Sequence, residues 1–120
     1  MATYTSNSLL AESQEAIEQY WFVQRVEITE QTDRAISLRL LISSDLFVQA
    51  FVGDLSGSLY FALVEDRQRL FGIDRQYSEW HMHPFGSVHE HVPLDQPLEP
   101  KPLLKFLKRV ENLLLEHELL

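Results

Sequence analysis

Four of the chain's five histidines lie in WHMHPFGSVHEHV, residues 80–92, as His81, His83, His89 and His91. They form two His-x-His pairs around Pro84-Phe85-Gly86-Ser87. Imidazole titrates near neutral pH, so one ring can accept a proton while another donates one. Two such rings suffice to cleave RNA without a metal. One takes the 2′-hydroxyl proton, the other protonates the leaving oxygen, and a nearby cation stabilises the charged phosphorus intermediate. Arg69, Arg75 or a lysine near the C-terminus is the candidate cation. Three imidazoles and a water also satisfy a catalytic zinc site, with Asp74, Glu79 or Glu90 as ligand or orienting group, so a divalent metal is the alternative to a cofactor-free site. In a third reading the segment is a polar loop, anchored by Trp80 and Phe85, on a non-enzymatic interaction module.

Both chemical readings turn on convergence. In an extended chain, residues i and i+2 share a face, so His81 pairs with His83 and His89 with His91. A four-residue loop at Pro84–Ser87 sets His83 opposite Val88 and sends the two pairs to opposite faces. A bulge or five-residue loop, with Gly86 at positive φ, sets His83 opposite His89 and His81 opposite His91. The sequence leaves both registers open.

The surrounding elements must position these rings. Asn7 or Ser8 can cap an amphipathic helix over residues 8–20, with Leu10, Ile17, Tyr20 and Trp21 on one face. From Phe22 the period changes to two, and a strand of about eight residues runs to a turn at Thr32-Asp33. RAISLRLLI alternates as a half-buried antiparallel strand, and LFVQAFV, SLYFALV and RLFGIDR follow across short turns. Connections this short leave no room for crossover helices. After Arg75 the pattern is irregular until Pro102, where Leu103, Leu107, Val110 and Leu114 begin a helix of about five turns. The expected fold is a single α+β domain over 1–120: an antiparallel meander of about five strands with N- and C-terminal helices packed on it. The aromatics, Phe47, Phe51, Tyr60, Phe61 and Phe71 among them, read as core at strand spacing. Edge strands of such a meander could also pair two copies into a homodimer.

Composition narrows the function classes. The chain has 120 residues, no cysteine and a formal charge of -8. Without thiols there is no disulfide, thiolate zinc site or cysteine nucleophile, and a reducing compartment is indicated. No basic start with an apolar run and no bilayer-length apolar segment is present, so a soluble cytoplasmic protein without membrane partners is expected. The negative charge opposes broad nonspecific binding to polyanions. Residues 1–60 carry three basic and eight acidic side chains, residues 61–120 seven and ten, so the cations favour the second half.

The order of elements and the segment FGIDRQYSEWHMHPFGSVHEHVP resemble the TumE-like prokaryotic toxins over roughly residues 58–115. In that family a late strand ends in an Asp-containing turn, followed by clustered histidines, a Pro and a further His-x-His before a C-terminal helix. Asp74, His81, His83, Pro84, His89 and His91 stand at comparable places. Arg75-Gln76-Tyr77 departs from the Asn and Ala-Pro-His-His typical there. The resemblance implies a toxin acting on RNA or translation, held inactive by a small helix-turn-helix antitoxin, with Asp74 and the four histidines as its site.

Overall fold

The computed structural model describes residues 4–94 and 96–120. Helix α1 (Ser6–Gln19) leads into strands β1 (Arg25–Thr32), β2 (Ala35–Leu41), β3 (Leu46–Gly53), β4 (Leu59–Glu65), β5 (Gln68–Gln76), β6 (Glu79–His83) and β7 (Val92–Pro93), then helix α2 (Pro102–Glu116). The strands lie in chain order in one sheet, each antiparallel to the next. The fold is therefore the α+β meander expected, with seven strands where about five were read.

The two additional strands lie in the segment read as irregular. β5 passes to β6 through Tyr77 and Ser78, at φ 52 and φ 68. A two-residue hairpin turn with both central residues left-handed is usually announced by Asn-Gly, and Tyr-Ser carries no such signal. β7 is two residues long and includes Pro93, which is tolerated because the strand closes the sheet edge. The first helix also begins earlier than expected. Thr5, not Asn7 or Ser8, is its cap, and Thr5 and Ser8 exchange side-chain and backbone hydrogen bonds in a capping box. α2 starts at Pro102 as expected but holds 15 residues, about four turns.

Alternation divides the sheet into two faces. Leu38, Leu40, Val48, Ala50, Phe61, Leu63 and Ile73 point to one, in a single buried cluster with Leu9 and Ala16 of α1 and Leu103, Phe106 and Leu107 of α2. The Phe106 ring lies 5.4 Å from Phe61 and 5.5 Å from Phe71. Each such buried Leu or Phe stabilises the fold by roughly 1.5–3 kcal/mol, so this face holds the helices firmly. The opposite face presents Arg39, Phe47, Gln49, Phe51, Tyr60 and Asp74.

The helices are also joined directly. Lys101, the N-cap of α2, is left-handed and offers no side-chain cap. Instead the buried Glu12 of α1 accepts the Leu104 amide at 2.8 Å and the Tyr4 hydroxyl at 2.5 Å. Burial pushes the Glu12 carboxyl and the Tyr4 phenol upward from their ordinary values. Among the described residues no helix is long and apolar enough to cross a membrane.

Candidate functional site

Register places the site on the face opposite the helices. The Tyr77-Ser78 turn pairs Gln76 with Glu79, and the ladder then sets Asp74 opposite His81 and Gly72 opposite His83. On the other side of β6, His81 pairs with Pro93 and Met82 with Val92. Continuing that register brings His91 beside His83, and their ring centroids are 4.4 Å apart. The centroids of His81 and His91 are 6.4 Å apart.

Neither loop weighed from the sequence is the one formed. Residues 84–91 hold two successive turns, with the Ser87 amide donating to the Pro84 carbonyl and the Glu90 amide to the Ser87 carbonyl, both at 3.0 Å. Gly86 takes the expected positive φ, 84. The longer connection gathers His81, His83 and His91 around Asp74 but leaves His89 on the flank beside Arg69 and Val88. Trp80 is buried, and Phe85 stacks on His117 at 4.1 Å, so both aromatics anchor the segment as anticipated.

His83 is 3% exposed and both its ring nitrogens are engaged. Nδ1 lies 3.1 Å from the Val88 carbonyl oxygen and Nε2 lies 2.8 Å from Asp74 Oδ2. A carbonyl only accepts, so Nδ1 carries a proton. Nε2 and the Asp74 carboxyl then share a proton between them. His81 approaches the same carboxylate less closely, with Nδ1 3.8 Å from Asp74 Oδ1 and Nε2 3.9 Å from Glu79 Oε2. These distances suit charge attraction but exceed a hydrogen bond. Neither the His81 nor the His91 ring makes a hydrogen bond among the described residues, so their nitrogens remain available for proton transfer.

This donor set does not suit a metal. Among the described residues no three His, Asp or Glu side chains are arranged to hold one. His83, one of the three converging rings, has both nitrogens engaged by Asp74 and Val88.

A bulge supplies the cation. Leu63 pairs with Phe71 but Val64 pairs with Arg69, so Leu70 is the extra residue and Arg69 turns to the histidine face. Arg69 Nη2 donates to the Val88 carbonyl at 3.0 Å, the same oxygen that receives His83. A Cβ on Gly72 would stand 3.2 Å from the Phe61 carbonyl oxygen, closer than ordinary contact, so the bare backbone suits the close approach of β4. Arg75, the other strand candidate, pairs with Trp80 on the helix-covered side and is held by Gly57 and Glu99. The C-terminal lysines belong to that side as well: Lys101 binds Glu15, Lys105 the Glu99 carbonyl and Lys108 Glu111.

No family model, curated protein or solved structure matches the chain. Its chemistry is therefore argued from the site itself.

Proposed function

We propose that this protein is the toxin component of a prokaryotic toxin–antitoxin pair and acts as a histidine-dependent ribonuclease. The observation that carries the reading is the convergence of His81 and His91 on one face, 6.4 Å between centroids, beside the Asp74–His83 pair. One of these two rings takes the proton from an RNA 2′-hydroxyl. The 2′-oxygen then attacks phosphorus, the bond from phosphorus to the 5′-oxygen breaks, and the other ring protonates that oxygen. The products are a 2′,3′-cyclic phosphate and a 5′-hydroxyl. His83, locked between Asp74 and the Val88 carbonyl, positions His91 through ring packing, and Arg69 opposes the charge that develops on phosphorus. Such a site needs no metal. A basic helix-turn-helix antitoxin is the expected inhibitor, because the acidic chain complements it.

The test is expression in bacteria of wild type and of a His81→Ala/His91→Ala variant, with growth and RNA integrity followed together. Wild type is expected to arrest growth and fragment RNA with cyclic phosphate ends, and the variant to lose about 100-fold or more of that activity. Equal growth and intact RNA in both would remove the ribonuclease and leave an interaction module.

A further inference from the structure

The face that bears the histidines also bears aromatic side chains with no place in the core. Phe51 and Tyr60 stand directly opposite each other on β3 and β4, half-buried, and the same row continues through Asp74 on β5 to His81 on β6. Neighbouring strands are about 4.8 Å apart, so Tyr60 lies roughly 10 Å from His81 along the row. Tyr60 also lines an open pocket with Gln68, Arg69, Val88 and His89. In the adjacent row Arg39 lies over the Phe47 ring at 4.5 Å.

We propose that this helix-free face is a docking platform for single-stranded RNA, with Tyr60 and Phe51 stacking bases next to the scissile phosphate and Arg69 and Arg39 meeting the flanking phosphates. The proposal rests on the ribonuclease reading and adds its substrate class and the residues that select it. Aromatic faces stack on any unpaired base but find no base face in a duplex, so single strands are preferred over double strands. Two guanidiniums beside an aromatic pair complement a strand of phosphates and bases. An acidic or purely apolar partner would leave one half of that surface unmatched.

Binding is measured by fluorescence polarisation of a labelled ten-nucleotide single-stranded RNA on the His81→Ala/His91→Ala protein, which binds without cutting. Adding Tyr60→Ala and Phe51→Ala is expected to weaken binding at least tenfold, whereas Tyr60→Phe, which keeps the stacking ring, stays within twofold. In the cleaving protein, Tyr60→Ala is expected to raise KM and leave kcat within about threefold. Photocrosslinking of iodouridine-substituted RNA to the otherwise unaltered face gives a second readout that does not depend on how the alanine variants fold, with crosslinks expected at Tyr60 or Phe51. RNA that is cleaved but crosslinks only elsewhere, or binds equally well to the alanine variant, overturns the platform and leaves the ribonuclease standing. RNA that crosslinks at Tyr60 but is never cleaved by wild type supports the platform and overturns the ribonuclease. RNA that is neither bound nor cleaved overturns both.

Discussion

At the scale of single residues, the organising contact is Asp74 with His83. Asp74 is 18% exposed in its side chain and His83 3%, so the 2.8 Å bond between them is shielded from water. Removing one partner of such a pair strands the other, which costs more than the bond contributes in net terms. Asp74→Ala is expected to lower unfolding free energy by about 2–3 kcal/mol, and Asp74→Asn, which can still accept from Nε2, by less than half of that. Urea unfolding of the three proteins checks the order. Equal losses for Ala and Asn would show that the carboxamide cannot replace the carboxylate as acceptor. The histidine spacing was informative only where the chain is a strand. His81 and His83 share a face because β6 is extended. His89 sits in a turn, so its two-residue spacing from His91 places nothing. The Val88 carbonyl, which holds both His83 and Arg69, has no side-chain identity for a sequence to reveal.

At the scale of elements, the hydrophobic period of α2 and of β2 to β5 is legible because each has one buried face, whereas α1 buries Leu9, Glu12, Ser13 and Ala16 and leaves Ile17 and Trp21 of the expected face exposed. β6 escaped because its turn is built from Tyr77 and Ser78, and Arg69, one of three candidate cations, reaches the histidine face through a bulge that no residue type announces. Phe51 and Tyr60, aromatics expected in the core from their strand spacing, are half-buried on the face that carries Gln49 and Asp74. The link between α1 and α2 was likewise invisible, since Glu12 caps a helix that begins far away in sequence. Its carboxyl is pushed up by burial, opposed in part by hydrogen bonds from Tyr4 and Leu104. Folded protein therefore holds the Glu12 proton more tightly than unfolded protein does. The stability this contributes is complete below the unfolded glutamate value and is lost as pH rises through the higher folded value. Relative to Glu12→Gln, which cannot titrate, wild type is expected to lose stability as pH rises above the ordinary glutamate value. Urea midpoints of the two proteins should diverge over that rise, and parallel curves would show that Glu12 is not the group responsible.

At the scale of the whole molecule, charge and proposed substrate pull in opposite directions. A chain with formal charge -8 repels RNA at long range, so any affinity must arise from short-range contacts strong enough to overcome that field. On the proposed platform the stacking pair supplies most of it, with Arg69 and Arg39 as its two phosphate contacts. Each phosphate neutralised on a single strand releases about 0.7 of a counterion, so two contacts give a slope of roughly -1.4 for log affinity against log salt concentration. Single-stranded RNA binding by the His81→Ala/His91→Ala protein is expected to show that shallow slope, and Arg69→Gln to reduce it by about 0.7. A slope steeper than about -3 would require four or more phosphate contacts, and the RNA would then have to reach cations beyond this face.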